Sequence, residues 1–434
     1  MRKQNRIFFG ISTFQALAMF RRGLFYSYLS IYLRYFLGLS VTETTFFATF
    51  PMILNVIFQM FVWGVLSDKY QKRRTFIIMG EIFAAISTFF VWLIHTFPGN
   101  KTAAGYVIII GLSFVEIFWS MSNVGWTAII SDFYPEETRT GIQGRLAMVG
   151  AIGRIIGVWI GGVAYDGLSR YYEGWGFDKG ILFFIASGIM LASTIPMFFM
   201  PEGGIMAGAG SKTVDRSIIT DPGLFKSLTR PFIVFLIAMI FVNFGRNSIA
   251  VIKTQYLVMD HGFNVSSRLL SYIVNMQSLA TFISGIVLSR FARRWNDRIL
   301  LYLGAAAAII YLFGYAFGRN LVVIFGSDFL AGVAEVIIFS ASYTYASKLI
   351  PPEHRGKHFA LFNATYFLSW GVAGTLIAGP VVDLTMKSGA GELFSYQMAF
   401  ISAAVLVIIG MFFLGFAYRT KTVNRNQQSV ISKK

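Results

Sequence analysis

The chain has no cysteine and is poor in charge for its length. The absence of cysteine excludes disulfides, thiolate metal sites and cysteine nucleophiles. Only 13% of the 434 residues are charged, whereas a soluble protein carries about 25%. Four histidines lie at or near the ends of the apolar runs: His95, His261, His354 and His358. We therefore expect no metal site, no cofactor and no enzymatic activity.

The chain is instead rich in long apolar runs. Hydrophobic residues make up 56% of it, including 45 phenylalanines. Runs of this length with few charges predict membrane-spanning helices, because about 20 residues cross a ~30 Å hydrocarbon core. The first run is too long for the core of a signal peptide, so we expect it to be retained as a span. Twelve spans are predicted, at residues 7–36, 43–66, 75–95, 104–131, 142–166, 180–200, 231–258, 266–289, 299–317, 321–347, 358–382 and 394–418.

The net charge of +17 is distributed unevenly along the chain. With the N-terminus inside, the cytoplasmic segments hold about 25 Lys and Arg and the external ones about 6, as the positive-inside rule requires. The basic surplus thus indicates topology and contact with anionic lipid headgroups, rather than binding of nucleic acid. We expect a multi-pass monomer in the cytoplasmic membrane, with both termini in the cytoplasm.

A polar segment divides the predicted spans six and six. It gives an N-terminal bundle at 1–200, a cytoplasmic linker at 201–230, a C-terminal bundle at 231–418 and a basic tail at 419–434. The linker contains Gly210-Ser-Lys-Thr, but the glycine spacing of a phosphate loop is missing. No nucleotide-driven engine is indicated, so any transport would be driven by a gradient.

The two halves of the chain repeat each other in their loops. The loop after span 2 begins Gly64-Val-Leu-Ser-Asp68 and continues into a basic run that includes Arg73; the loop after span 8 repeats a glycine followed by a basic cluster. The loops after spans 4 and 10 each carry glutamate shortly before an arginine, Arg139 and Arg355. An internal repeat of this kind is typical of secondary transporters.

With these motifs the chain resembles the major facilitator superfamily. That family's loop signature is Gly-x-x-x-Asp-Arg/Lys-x-Gly-Arg/Lys-Arg/Lys, which Gly64, Asp68 and Arg73 match, with Gln71 at or beside the second glycine. The resemblance covers the whole chain. It implies an all-α integral membrane fold of two pseudo-symmetric six-helix bundles, and secondary active transport by alternating access.

The resemblance also implies a gating role for the loop residues. Asp68 would dock on the start of span 11 in the outward-open state and leave it when the cytoplasmic side opens. Gly64 would permit close approach of helices. Arg73, Arg139 and Arg355 would belong to the same gate, or alternatively would only fix topology.

Two arginines occupy the middle of apolar spans. Arg22 in span 1 and Arg246 in span 7 coincide when the span ends are aligned, and so do Tyr32 and Tyr256. A charge at this depth costs roughly 2.5–3.5 kcal/mol on insertion scales and usually marks function. By resemblance, spans 1, 4, 7 and 10 line a central cavity. An arginine pair there favours a phosphate or carboxylate ligand, because the guanidinium forks onto such oxygens.

Further polar residues in the spans complete the predicted site. Substrate binding would also use Tyr26, Tyr32, Tyr256, Asn123, Arg154 and Lys253. Glu116 and Glu335 resemble repeat mates and are the candidate proton carriers. Arg21, which is expected to pair with a neighbouring helix, and Asp328 are assigned to gating. The glycines of span 5 would permit close packing against span 8.

Two functional hypotheses follow. The first is a transporter of a small organic or phosphorylated anion, coupled to protons or another ion, with Arg22 and Arg246 binding the anion. The second is a proton-coupled exporter of drugs or lipids, in which the arginines form salt-bridge gates with Glu116 and Glu335.

Overall fold

The structure, a computed structural model, describes residues 2–134, 136–166, 174–204, 228–291, 296–350 and 355–431. Within these ranges the chain is helical, which confirms the expected all-α architecture. The helices, labelled α1 to α16 in chain order, are Arg2–Ile31, Val41–Phe58, Gly64–Tyr70, Arg73–His95, Lys101–Phe133, Glu136–Tyr165, Trp175–Asp178, Ile181–Phe198, Arg230–Ser248, Ile252–Val258, Ser267–Phe291, Asp297–Phe317, Leu321–Leu349, Arg355–Ala373, Gly379–Lys387 and Glu392–Ile431.

Eleven helical segments of the described chain are long and apolar enough to cross a membrane. They correspond to predicted spans 2 to 12. The first predicted span also forms a helix, α1, which continues as a π-helical turn at Tyr32–Phe36. It falls outside the eleven because Arg21 and Arg22 lower the mean hydropathy of its apolar stretch.

Local sequence signals begin several of these helices. Ser40 precedes α2 and forms a capping box with Glu43, in which each residue's side chain binds the other's backbone N–H. Asn100, Asn296 and Asn320 cap α5, α12 and α13 in the same manner, by accepting a backbone N–H. Such caps satisfy the amide groups that a helix N-terminus leaves without partners.

The predicted spans 2 and 11 contain π-helical turns, at Gln59–Trp63 and Gly374–Ala378. Gly64 follows the first of these turns directly. A Cβ atom at Gly64 would lie 2.7 Å from the carbonyl oxygen of Gln59. The glycine therefore relieves crowding within its own helix, whereas the sequence suggested close approach to another helix.

The chain divides into two compact units whose boundaries differ from the predicted bundles. One unit comprises Met1–Ser211 with Val251–Ser278, and the other comprises Lys212–Ala250 with Leu279–Lys434. The boundary between the two units cuts predicted span 7 between α9 and α10. The bundle boundaries at 200 and 231 stay a prediction.

In the first unit α1 packs closely along α6, the predicted span 5. Cβ atoms at Gly153 and Gly157 would lie 2.2 and 2.0 Å from the carbonyl oxygens of Ala16 and Phe20. Glycine is therefore required for this contact. These two glycines meet α1 and not span 8, contrary to the expectation from the sequence; the neighbouring Gly162 does meet Ser267 of α11.

Hydrogen bonds fix Val251–Ser278 to the rest of the first unit. The hydroxyls of Ser30 and Thr254 lie 2.9 Å apart, and the amide of Gln255 donates to Thr44 over 2.8 Å. Asn275 donates to the carbonyl of Ile155 over 3.0 Å. In the second unit α9 packs against α14 and α16, and α12 packs against α13 and α16.

The turn between α3 and α4 has an unusual residue at its centre. Gln71 ends α3 with φ 56° and ψ 23°, in the left-handed region that favours glycine. Its backbone N–H donates to Ser67 over 3.0 Å. This left-handed cap explains physically why a glycine suits this part of the loop signature.

We predict that Gln71→Gly gives a more stable protein than Gln71→Ala. Both variants lose the hydrogen bond that Arg73 donates to the Gln71 side chain over 3.2 Å, so their difference isolates the backbone. A non-glycine residue in this conformation costs about 1 kcal/mol. Thermal unfolding in detergent measures the difference; equal melting temperatures would contradict the expectation.

Candidate functional site

Trp119 holds the two adjacent arginines of α1. The guanidinium carbons of Arg21 and Arg22 lie 4.7 and 4.4 Å from its ring centroid. Successive helical residues point about 100° apart, and the two side chains differ accordingly. Arg21 is 3% exposed, whereas Arg22 is exposed. Arg22 is therefore the accessible cation of the pair.

Glu116 of α5 lies close enough to Arg22 to attract it. Its carboxylate accepts a hydrogen bond from the Asn55 amide, whose oxygen accepts one from Gln59, each over 2.5 Å. Among the described residues Arg22 has no carboxylate oxygen within 4.0 Å, so its guanidinium is not neutralised by an ion pair.

Arg154 and Tyr26 surround the same arginine. Arg154 is half-buried on α6 and repels Arg22 electrostatically. Tyr26 stacks on Phe47 with ring centroids 6.2 Å apart. Asn123 is half-buried one turn beyond Trp119 on α5. Trp119, Arg154 and Tyr26 therefore form a polar and aromatic surrounding for Arg22 inside the first unit.

The second unit holds Arg246 in a comparable setting. Arg246 is 5% exposed, its Nε donates to Asn243 over 3.2 Å, and its guanidinium carbon lies 5.4 Å from the ring centroid of Tyr366. The Tyr311 hydroxyl donates to its carbonyl oxygen over 2.6 Å. Its Nη2 is buried and has no hydrogen-bond partner among the described residues.

Two carboxylates accompany Arg246 in this unit. Glu335 accepts a hydrogen bond from the Tyr366 hydroxyl over 3.2 Å, so Tyr366 contacts both the arginine and the glutamate. Asp328 is fully buried and accepts a hydrogen bond from the Tyr315 hydroxyl. Asp328 thus lies in the packed interior of the second unit.

Three predicted binding residues lie in packed or hydrogen-bonded positions of the first unit. Tyr32 is buried and stacks on Phe177 with ring centroids 5.2 Å apart. Tyr256 is buried and meets Phe263 edge to face. Lys253 donates to the Gln277 side chain over 3.0 Å. In this conformation both tyrosine rings support the packing, and a role in substrate binding stays a prediction.

The loop predicted to gate the protein is joined to the end of α8 and to α5. Arg74 forms an ion pair with Glu202 at 3.1 Å, and the Glu202 carboxylate accepts the backbone N–H of Thr75 over 2.8 Å. Arg73 is buried, donates to Ser67 and lies 3.6 Å from Asp132. Neither Glu202 nor Asp132 was predicted from the sequence to hold this loop. The side chains of Asp68, Arg139 and Arg355 lie outside the described residues.

A further buried carboxylate, Glu81 of α4, was also missed. It is 2% exposed and accepts a hydrogen bond from Ser122 over 2.8 Å. Arg21 attracts it electrostatically without an ion-pair contact, so the pairing of Arg21 with a neighbouring helix stays a prediction. The position of Glu81 inside an apolar run was the available signal.

Comparison with known proteins gives consistent results. The family model of the Major Facilitator Superfamily matches residues 11–375. The multi-drug resistance efflux pump PmrA of Streptococcus pneumoniae is 24% identical over 398 residues, covering 88% of this chain and 89% of that protein. Sugar efflux transporter B of Salmonella typhimurium is 20% identical over 371 residues, covering 85% of each.

Two solved structures share the fold. The inward-facing, unoccupied structure of a bacterial homolog to the human lysosomal transporter Spinster aligns with a TM-score of 0.73 at 15% identity, covering 96% of this chain and 97% of that chain. The nucleoside transporter NupG aligns with a TM-score of 0.74 at 14% identity, covering 94% and 98%. At these identities the likeness shows the fold alone.

The contact of Trp119 with both arginines predicts an order of stabilities. Trp119→Phe keeps a weaker aromatic face, whereas Trp119→Leu leaves two adjacent cations without one. A buried cation–π contact contributes about 2 kcal/mol, so the melting temperature should fall from wild type to Phe to Leu. A leucine variant as stable as the phenylalanine variant would show that the ring acts only by its bulk.

Proposed function

Since the chain belongs to the Major Facilitator Superfamily and is a multi-pass membrane transporter, we propose that it moves a small organic or phosphorylated anion by secondary active transport. Arg22 and Arg246 are the anion-binding groups of this proposal, and Glu116 and Glu335 couple transport to protons.

One observation supports the anion most strongly. Arg22 and Arg246 lie against aromatic rings, and neither has a carboxylate oxygen within 4.0 Å among the described residues. Salt-bridge gates, as in the exporter hypothesis, would bring such an oxygen into contact with each arginine whenever the gate is closed. The aromatic faces attract the cations without using up all their N–H donors.

The chemistry of the guanidinium group favours an oxyanion. Its N–H groups form a planar fork that matches the oxygens of phosphate and carboxylate, and charge-assisted hydrogen bonds are about twice as strong as neutral ones. The Nη2 of Arg246 is buried, and no residue in the described part of the chain forms a hydrogen bond with it. Leaving such a donor unsatisfied costs about 1–3 kcal/mol, which an arriving oxyanion would offset.

The coupling glutamates have different neighbours in the two units. Glu116 is held by Asn55 and attracted by Arg22, while Glu335 is held by the hydroxyl of Tyr366, which also faces Arg246. Protonation of either glutamate would remove a negative charge from the surroundings of an arginine. Proton binding would therefore favour anion binding.

A proton-coupled exporter of drugs or lipids is the second candidate. It is favoured by the similarity to a multi-drug resistance efflux pump. The aromatic rings near Arg22, those of Trp119, Tyr26 and Phe47, would suit an apolar or cationic compound. In that case cations such as ethidium, rather than anions, would be the ligands.

The choice between the candidates is tested by thermal-shift binding to purified protein. We expect glycerol 3-phosphate, glucose 6-phosphate or citrate to raise the melting temperature, whereas glucose, uridine and ethidium should not. At a hundredfold excess over Kd the ligand adds about 2.7 kcal/mol of stability. A shift by ethidium alone would favour the exporter.

The arginines are tested with the anion that gives the largest shift. Arg22→Ala and Arg246→Ala should each abolish the shift, because each removes a charged donor. Arg319→Ala is the matched control, since Arg319 is an exposed arginine between α12 and α13. Full binding in both intramembrane variants would contradict the proposal.

Proton coupling predicts a separate defect in proteoliposomes. With the same anion, Glu116→Gln or Glu335→Gln should lose uptake driven by a pH gradient while anion exchange persists, because exchange needs no net proton movement. Uptake that follows the pH gradient unchanged in both variants would remove these residues as carriers.

A further inference from the structure

Among the described residues of α1, α4, α5 and α8, Glu81 is the most deeply buried carboxylate to which the proposed function gives no role. It lies on α4, in the predicted span 3, and is 2% exposed. A carboxylate in an apolar bundle is costly, so its presence calls for a partner or a function.

Few groups face Glu81 from the helices around it. From α5, Ser122 donates a hydrogen bond over 2.8 Å, and the indole of Trp119 lies nearby. Arg21 of α1 attracts it, and Glu116 of α5 repels it across the cluster. The helix α8, which also packs on α4, carries no ionisable residue within Ile181–Phe198.

Glu81 has no cation within 4.0 Å among the residues that the structure describes. Ser122 is its closest hydrogen-bond donor, although a carboxylate can accept about four hydrogen bonds. Such a carboxylate is held well enough to remain in place in either charge state. A permanent ion pair would instead show a short contact with Arg21.

When Glu81 is ionised, Arg21, Arg22 and Arg154 face Glu81 and Glu116, which leaves one surplus positive charge. Adding one proton to Glu81 raises this surplus to two, and Arg21 shares the Trp119 ring with the exposed Arg22.

We propose that Glu81 is a proton-binding site of this transporter, positioned by Ser122 and linked to Arg22 through Arg21 and Trp119. A proton on Glu81 strengthens the attraction of the first unit for an anion at Arg22. The inference rests on the proposed function in taking protons as the coupling ion and an anion as the ligand of Arg22. Glu81 is a positioning and proton-binding residue, since Arg21 and Trp119 separate it from Arg22.

The test compares the pH dependence of melting for wild type and Glu81→Gln, without substrate, between pH 5 and 9. At a pH where Glu81 is protonated in the folded protein but ionised in the unfolded chain, unfolding releases a proton. In that range the stability of wild type falls relative to that of the variant as the pH rises. Once folded Glu81 also releases its proton, the difference becomes constant. We expect a break of this kind within the range.

Two other results would overturn the inference. A constant difference throughout means that Glu81 is always ionised in the folded protein, and a continuous slope to pH 9 means that it never releases its proton. Asp260→Asn is the control: Asp260 is exposed, so its difference from wild type should be constant. If Glu81→Gln does not fold, the melting profile of Ser122→Ala is compared with that of wild type. This variant removes the hydrogen bond to the ionised carboxylate, so the break in the pH dependence of melting should lie at higher pH than in wild type. An unchanged profile would contradict the proposal.

The same series separates this inference from the proposed function. Because no anion is present, a failed anion screen leaves the result for Glu81 unaffected. Conversely, a constant difference for Glu81→Gln with a break for Glu116→Gln would reject Glu81 and retain the proposed carrier Glu116.

Discussion

A guanidinium inside an apolar helix bundle must be stabilised, and the choice of partner decides what it can do. A carboxylate in contact with it would neutralise the charge and hold the arginine as a structural element. An aromatic face attracts the cation and leaves its N–H donors available. In this protein Trp119 and Tyr366 take the second role, for Arg22 and for Arg246.

In both units the carboxylates contact or lie near the aromatic residue, and they form no ion pair with the arginine that this residue holds. Tyr366 contacts Arg246 with its ring and Glu335 with its hydroxyl. Trp119 contacts Arg21 and Arg22 with its ring, and Glu81 lies near its indole N–H. An aromatic residue thus links a cation and an acid without letting them neutralise each other. Proton binding to the acid can then alter the field at the arginine while the packing stays intact.

The spans and the intramembrane arginines could be predicted because they depend on one-dimensional patterns. Apolar runs set the helices, and aligning the halves of the chain pairs Arg22 with Arg246. The contacts of each side chain could not be predicted, since they depend on the direction in which that side chain points from its helix. Gly153 and Gly157 signal close packing, yet the sequence does not say that α1 is the partner. Glu81 was overlooked because it has no counterpart of the kind that pairs Glu116 with Glu335.

Backbone detail was equally hidden. Because of the π turn at Gln59–Trp63, Gly64 is needed to avoid crowding within its own helix and not for contact with another helix. The left-handed conformation of Gln71 shows why the family motif has a glycine in that loop. Side-chain identity alone does not encode an i→i+5 hydrogen bond or a positive φ at glutamine. The loop itself is held by Glu202 and Asp132, which come from distant parts of the sequence.

The central claim, that the intramembrane arginines serve an anionic substrate, is tested most directly by charge movement in proteoliposomes on a solid-supported membrane. A rapid change to solution containing glycerol 3-phosphate, glucose 6-phosphate or citrate should produce a transient current in wild type and none in Arg22→Ala. Currents with ethidium or uridine, together with none for any of the anions, would contradict it.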